Sequence, residues 1–159
     1  MLEVGCAHGP GGAGDPDLTP EETRAHFGAW CIVSSPLILS HDVNNATIMD
    51  ALWPVIANPE ALAVNQAWDG FSGSVFQGTT STFQFWNKPV GGGKVAVFMM
   101  NHQNAPATLS VSLASVPGVT GTSFLVRDIW ARKDVGTMSG NYTVTLNAHD
   151  AAFIMVTPQ

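Results

Sequence analysis

The stretch "LSVSL" (Leu109–Leu113) alternates apolar and polar residues, and "YTVTL" (Tyr142–Leu146) repeats the pattern further along the chain. A period of two places successive side chains on opposite faces of a β-strand, so that one face packs on a core and the other meets solvent. The two stretches therefore predict half-buried antiparallel strands, and they decide the fold class of the C-terminal half.

The same period continues from Gly73 to the end of the chain. Phe83 and Phe85 alternate with polar neighbours, whereas Val95–Met100 is apolar at every position, as in a central strand. Turn signals separate these runs, at Gly91–Gly93, Pro117-Gly118 and Ser139–Asn141. About eight short strands at this spacing predict an antiparallel β-sandwich, which we assign to residues 73–159 as one domain.

Residues 1–70 carry a different, α/β pattern. Thr19–Glu22 is a capping box with proline at the first helical position, and it predicts a helix that runs to about Ser34. Pro36 then prevents the helix from continuing. Further helical segments are predicted from about Thr47 to Ile56 and from Asn58 through Ala63.

Two short apolar runs predict strands: Met1–Val4 is typical of the end of a buried strand, and Leu37–Ser40 is typical of a parallel strand that is covered on both faces. Two such strands with their helices leave sheet edges and apolar faces open. We therefore expect residues 1–70 to be the last part of a larger α/β domain, and to be less stable on their own than the sandwich.

Composition excludes several classes of partner. Apolar residues make up 45% of the chain, charged residues 11%, and the net charge is −6. A chain this poor in lysine and arginine is unsuited to nucleic acid or to an anionic membrane surface. No apolar run approaches the roughly 18 residues of a membrane span, and no secretory signal pattern is present. Cys6 and Cys31 fit no zinc or disulfide framework, and Cys31 is predicted to be a buried free thiol.

Gly9–Gly14 matches the G-x-G-x-x-G pattern of dinucleotide sites, but the predicted helix begins too late to bind a pyrophosphate. Asp15, Asp17, Glu21 and Glu22 would repel phosphate, so an irregular loop is favoured. These acids also suggest a calcium site, although two of them are better explained by the positive end of the helix dipole. We predict no cofactor and no metal.

The aromatic and histidine residues leave two readings open. The five histidines, His8, His26, His41, His102 and His149, show no metal-ligand spacing, and structural roles are favoured. Trp86 and Trp130 would suit either a sugar-stacking surface or the core of the sandwich, and the core is favoured.

His41-Asp42 is the most suggestive polar pair. It directly follows Leu37–Ser40, and α/β folds place their chemistry at the carboxyl ends of parallel strands. Asp42 is also suited to capping the following loop, which is the favoured interpretation.

Four stretches together resemble the glycoside hydrolase family 27 α-galactosidases, or melibiases. They are "MLEVG" (1–5), "LTPEETRAHFGAWCIVSSPLILSHDV" (18–43), "EALAVNQAWDGFSG" (60–73) and "VRDIWARKDVGTMSGNYTVTLNAHDAAFIMVTP" (126–158). The resemblance implies a (β/α)8 TIM barrel followed by a C-terminal antiparallel β-sandwich. Residues 1–70 would then be the last barrel strands and helices, and the first six strands would be missing from this chain.

The resemblance also implies a function. The family releases terminal α-D-galactose by a retaining mechanism that uses two aspartates, and no acidic residue here matches either one. Both are expected upstream of Met1, so the resemblance implies that this chain is inactive alone. Of the galactose pocket only Met1 maps, as a wall residue. His41 stands where relatives have an amide, so no sugar contact is inferred for it.

Other classes of function remain open. The sandwich would serve as a non-catalytic carbohydrate-binding or stabilising module, or the chain would be a half-domain completed by a second chain that carries the missing barrel half. Asn45-Ala-Thr47 and Asn141-Tyr-Thr143 are glycosylation sequons. With the family resemblance, they suggest an extracellular, vacuolar or lysosomal location.

Overall fold

The computed structural model describes residues 1–6, 17–77 and 82–159, and in these ranges the helices precede the strands along the chain. The helices are α1 (Pro20–Ile32), α2 (Ala46–Ile56) and α3 (Pro59–Gln66), and a 3₁₀ turn covers Leu113–Ser115. The strands are β1 (Ser74–Gln77), β2 (Phe83–Gly91), β3 (Lys94–Asn101), β4 (Ala107–Ser112), β5 (Phe124–Asp128), β6 (Lys133–Met138), β7 (Asn141–Leu146) and β8 (Ala151–Pro158). In the described ranges, no helix is long and apolar enough to cross a bilayer.

The strands form two antiparallel sheets that share a core. Six strands make the larger sheet in the order β1-β2-β3-β8-β5-β6, and β4 pairs with β7 in the smaller sheet. In the smaller sheet Leu109 lies opposite Val144, and Val111 lies opposite Tyr142. Buried side chains of both sheets fill the space between them, namely Phe85, Val97, Met99, Leu109, Val111, Phe124, Val126, Leu146, Ile154 and Val156. The predicted β-sandwich is confirmed.

The larger sheet is also covered on its other face, by α1 and α3. Phe98 and Phe153 pack toward the helices, whereas their chain neighbours Met99 and Ile154 pack toward the smaller sheet. The two phenylalanine rings meet edge to face with their centroids 5.5 Å apart. Gly28 lets α1 approach this pair, because a Cβ there would lie 2.4 Å from the Phe98 ring. The helices and the sheet therefore share one core.

Helix α1 begins where the capping box predicts. The Thr19 hydroxyl accepts a hydrogen bond from the Glu22 amide at 3.2 Å, and the Glu22 carboxylate accepts one from the Thr19 amide at 2.9 Å. The helix ends at Ile32, two residues earlier than expected. Ser34 adopts a left-handed φ of 57°, and the Ile32 carbonyl accepts from the Gly73 amide at 2.9 Å. The chain thus turns away before Pro36 is reached.

The two later helices follow their predicted positions closely. Helix α2 begins one residue before Thr47, because the Asn45 side chain caps it by accepting from the Ile48 amide at 3.2 Å. Helix α3 runs three residues beyond Ala63, to Gln66. Asn58 caps α3 by accepting from the Glu60 and Ala61 amides.

The predicted parallel strands are present only as a single bridge. Leu2 pairs in parallel with Leu39, and the Leu2 amide donates to the Ile38 carbonyl at 2.9 Å. The expectation that Leu37–Ser40 is covered on both faces is wrong, since the Ile38 side chain is 54% exposed and Leu39 is also exposed. A parallel strand buried on both faces needs a packed layer on each face and strands beside it in the sheet. Among the described residues only Leu2 fills that role, and the barrel remnant remains a prediction.

Candidate functional site

The parallel bridge leads into a polar corner, which we call the strand-end corner (residues 1–6 and 40–45). His41 is buried there, and its Nδ1 donates to the Val4 carbonyl over 2.9 Å. Its Nε2 lies 3.2 Å from the Met49 sulfur. Both ring nitrogens thus have partners within the chain, so His41 joins the two chain segments of the corner.

Asp42 and Asn45 shape the loop that follows. The Asp42 carboxylate accepts from the Asn44 amide at 2.9 Å, which confirms that Asp42 caps the loop. Asn45 is exposed and caps α2. Met1 is also exposed, whereas the neighbouring Leu2 is fully buried.

Trp86 and Trp130 lie between the larger sheet and the helices. Both are partly buried and pack against the core that α1 shares with the sheet. The Trp130 indole donates to the Ala151 carbonyl at 3.1 Å, and its ring lies 5.5 Å from the Phe153 ring, centroid to centroid. The core interpretation of both tryptophans is confirmed.

The cysteines are free thiols. Cys31 is fully buried in α1, as predicted, and burial raises the pKa of its thiol to about 12. Burial also raises the pKa of Cys6, with a smaller contribution from the Glu3 carboxylate. Neither environment favours the thiolate, so neither cysteine has the character of a nucleophile.

His26 and Glu21 have structural partners. His26 stacks on Trp30 with ring centroids 4.4 Å apart, and burial lowers the pKa of its imidazole. The Glu21 carboxylate accepts from the Asn147 side chain at 3.2 Å in the first turn of α1. No cluster of three or more His, Cys, Asp or Glu side chains occurs among the described residues. His8, the Gly9–Gly14 motif and Asp15 lie outside those residues.

Lys88 is a buried cation that the sequence patterns did not reveal. Its side chain is fully buried on the helix-facing side of β2. The ammonium donates to the Ser34 hydroxyl at 2.6 Å, to the Val64 carbonyl and to the Asn65 carbonyl at 3.2 Å. A positive charge at the carbonyl end of a helix is favourable, so Lys88 ties α3 and the end of α1 to the sheet. Burial lowers the pKa of this ammonium.

Two arginine–carboxylate pairs add to this attachment. The Arg24 guanidinium on α1 donates to both Asp150 oxygens, at 3.1 and 2.9 Å. The Arg127 guanidinium on β5 donates to both Glu60 oxygens, at 2.9 and 2.7 Å. Bidentate geometry fixes orientation as well as distance, so α1 and α3 are held at defined positions on the sandwich.

A cleft of about 700 Å³ opens beside strand β1, and we call it the β1 cleft. Its lining includes Trp68, Phe71, Ser72, Ser74, Asn87 and Pro117. Trp68 and Phe71 are 70% and 66% exposed, and they lie on the connection between α3 and β1. The available sequence signal is a pair of large aromatic residues, Trp68 and Phe71, on either side of Gly70.

The fold and the match of a family model define the class of protein. Residues 80–156 match the model of the α-galactosidase C-terminal β-sandwich domain. The class that the fold and this match define is therefore a β-sandwich similar to the C-terminal domain of α-galactosidases. The chain as a whole is similar to the C-terminal portion of α-galactosidases.

Individual relatives extend the similarity over nearly the whole chain. α-Galactosidase 3 of Arabidopsis thaliana is 35% identical over 162 residues, which cover 95% of this chain and 37% of that protein. The α-galactosidase of Coffea arabica is 32% identical over 100% of this chain and 39% of its own length. The chain thus spans well under half the length of these relatives.

Solved structures share the fold. α-Galactosidase I from Mortierella vinacea superposes with a TM-score of 0.81 at 25% identity, over 93% of this chain and 38% of that one. The Saccharomyces cerevisiae α-galactosidase with raffinose superposes with a TM-score of 0.80 at 18% identity, over 99% of this chain and 46% of that one. The arrangement of helices on the sandwich therefore recurs in both structures.

Proposed function

We propose that this chain forms the C-terminal portion of an α-galactosidase-like retaining glycoside hydrolase, which hydrolyses terminal α-D-galactosyl linkages. The proposal rests chiefly on the similarity that runs through the helices as well as the sandwich, up to 100% of this chain in a relative named α-galactosidase. A sandwich borrowed by an unrelated protein would match over residues 80–156 alone. The similarity of the helical part supports the same enzyme context.

In this proposal residues 1–70 belong to the end of a catalytic barrel and residues 73–159 form the sandwich domain. The parallel bridge between Leu2 and Leu39 supports it, because parallel pairing is the pairing of a barrel. Met1, Ile38 and Val43 expose apolar side chains around that bridge. The remaining barrel strands, in the same or another chain, are the occupants proposed for this surface.

The isolated 159 residues are proposed to be inactive. A retaining glycosidase needs two carboxyl groups about 5–5.5 Å apart on either side of the scissile bond. In the strand-end corner the acids are Glu3 and Asp42, and the Asp42 carboxylate already accepts from the Asn44 amide. Met1 is proposed to contribute a wall of the galactose pocket, with the nucleophile and the acid/base supplied by the barrel portion.

A chimeric enzyme tests this function. In the Coffea arabica α-galactosidase, the C-terminal segment that aligns with this chain is replaced by the 159 residues. Hydrolysis of a chromogenic α-galactoside is expected from the chimera and not from the chain alone. A second chimera, which exchanges only residues 73–159, tests the proposed domain boundary. A folded, monodisperse chimera without activity, or hydrolysis by the purified chain alone, would contradict the proposal.

Asn45 and Asn141 are proposed glycosylation sites of an extracellular, vacuolar or lysosomal enzyme. Both side chains are exposed. The cap at Asn45 uses the side-chain oxygen and leaves the amide nitrogen available for the glycan. Expression through a eukaryotic secretory pathway should increase the mass of the chain by two N-linked glycans. Partial digestion with a glycosidase should remove them in two steps, one for each site. Thr47→Ala and Thr143→Ala should each remove one step, and an unchanged mass in either variant would rule out that site.

A further inference from the structure

We propose that the β1 cleft is a non-catalytic binding site for a neutral pyranose sugar. The inference does not depend on the proposed hydrolase activity, because it concerns a cleft between the α3–β1 connection and the sandwich, whose lining includes no residue of the strand-end corner. It rests on an unsatisfied polar atom, on exposed aromatic rings held by a fixed segment, and on the absence of charge in the lining.

The unsatisfied atom belongs to Asn87, which lines the cleft and is only 5% exposed. Its Nδ2 donates to the Pro117 carbonyl at 3.0 Å. Since a carbonyl can only accept, this bond fixes which way the amide points. The Oδ1 atom is shielded from solvent and accepts no hydrogen bond. A buried acceptor without a donor is costly. Because Oδ1 has almost no accessible surface, a ligand hydroxyl that removes this cost must displace the neighbouring wall of the cleft or turn the Asn87 side chain.

The aromatic wall is presented by a segment fixed at both ends. The Ala67 amide donates to the Ala63 carbonyl and the Gly73 amide donates to the Ile32 carbonyl, each at 2.9 Å. A Cβ at Gly73 would lie 2.2 Å from the Ile32 oxygen, so only glycine permits this crossing of α1. Trp68 and Phe71 lie between the two anchors and remain exposed. Anchoring of the segment lowers the ordering cost of binding.

The chemistry of the lining selects the ligand. All of the lining side chains are uncharged, and Ser72 and Ser74 add hydroxyl groups to Asn87. Ser74 lies directly opposite Asn87 in the register of β1 and β2, so the two polar groups are neighbours. A ligand that suits these walls is neutral, carries several hydroxyls and has an apolar face that stacks on an aromatic ring. A pyranose sugar has all three properties.

A titration of the 159-residue chain tests the proposal. Galactose and methyl α-D-galactoside are added while amide and indole NMR signals are followed. Saturable shifts are expected at the Trp68 indole, at Ser74 and at the Asn87 side-chain amide. Trp68→Ala should weaken binding by about tenfold, the upper range of an aromatic contact, and Phe71→Ala by less. Trp53→Ala is the matched control, because Trp53 is 59% exposed on α2 and lies outside the cleft.

Several results would overturn the site. Shifts that grow linearly without saturation, or that are unchanged in Trp68→Ala, would show that the sugar does not bind there. Wild-type affinity in a folded Asn87→Leu variant would exclude the Asn87 acceptor from binding. If Trp68→Ala had a lower mass in sedimentation than the unmodified chain, the cleft would be a contact between copies of the chain. If an added peptide instead formed backbone hydrogen bonds with β1, the cleft edge would be a strand-docking site. None of these results bears on hydrolysis by the chimera, so failure of the two proposals is distinguishable.

Discussion

The sandwich and the helical segment (residues 17–67) bury their apolar surface in different ways. The sandwich closes a core between its own two sheets. The helical segment has no such internal partner, and α1 and α3 bury Phe27, Cys31, Ala61 and Val64 against each other and the outer face of the larger sheet. Helix α2 differs from both, since only Leu52 and Ile56 are buried and Trp53 is largely exposed.

This comparison shows that the boundary between the two sequence patterns is not a boundary between two separate cores. The period changes near Gly73, yet α1 and α3 are attached to the sheet by a shared core, a buried lysine and two bidentate arginines. The expected instability of residues 1–70 remains a prediction. The structure narrows the predicted instability to α2, in which only Leu52 and Ile56 are buried.

The largest expected effect comes from truncating a buried side chain on either face of β3. Phe98→Ala and Met99→Ala each remove a fully buried side chain, one on the helix side and one on the sandwich side. Truncations of this kind cost about 2–5 kcal/mol. If the helices share the core of the sheet, Phe98→Ala should lower the stability of helix and sheet together in urea unfolding. Loss of helical signal alone, with the sandwich transition unchanged, would show that the two regions are independent.

Replacing Lys88 is expected to have the next largest effect. Lys88→Met removes three hydrogen bonds that join β2 to α3 and the end of α1, and we expect a loss of about 2 kcal/mol. Lys94→Met, at an exposed lysine of β3, is the matched control and should be neutral. Burial lowers the pKa of Lys88, so the unfolded chain binds this proton more tightly than the folded chain does. Lys88 should therefore make stability rise with pH between its lowered pKa and the ordinary lysine pKa. An equal loss in both variants would refute the specific role of Lys88.

Alkaline pH provides a third test, at Cys31. Folding raises the pKa of this thiol from 9.0 to about 12, so the folded chain retains the proton longer than the unfolded chain does. The associated stability is fully present below pH 9.0 and is lost as the pH rises toward 12, at about 1.4 kcal/mol per pH unit. Cys31→Ala should flatten this slope in denaturant titrations. Tyr142→Phe should flatten the alkaline slope in the same direction on the sandwich side, because burial also raises the pKa of that phenol. An identical slope in Cys31→Ala would contradict the prediction.

The smallest expected effect comes from removing the N-terminal caps of α1 and α2, and it distinguishes the two helices. Thr19→Ala and Asn45→Ala each remove a side-chain cap, which costs about 1 kcal/mol. Because α1 is part of the shared core, Thr19→Ala should lower global stability in amide exchange. Asn45→Ala should speed exchange in α2 only, leaving β3 and β8 unchanged. Equal effects on the sheet in both variants would mean that α2 is as firmly attached as α1.

Local patterns allowed much of this fold to be predicted. The alternation in Leu109–Leu113 and Tyr142–Leu146, and the capping box at Thr19–Glu22, depend on neighbours along the chain. The Leu37–Ser40 prediction failed in part, because coverage of a strand depends on partners that an apolar run does not specify. The β1 cleft was not predicted from the sequence, because Trp68 and Asn87 are distant in the chain. They line the same cleft only when β1 pairs with β2.

By itself, the sequence determined the β-sandwich class of the C-terminal half, the approximate start of each helix and the family resemblance, because periodicity, caps and motifs depend on residues close together in the chain. Only the tertiary structure decided that Lys88 is a buried clamp, that Trp86 and Trp130 belong to the core, and that Asn87 keeps an unsatisfied acceptor. Burial and hydrogen-bond partners are properties of the assembled layers, and they are set by residues that come together only when the sheet forms.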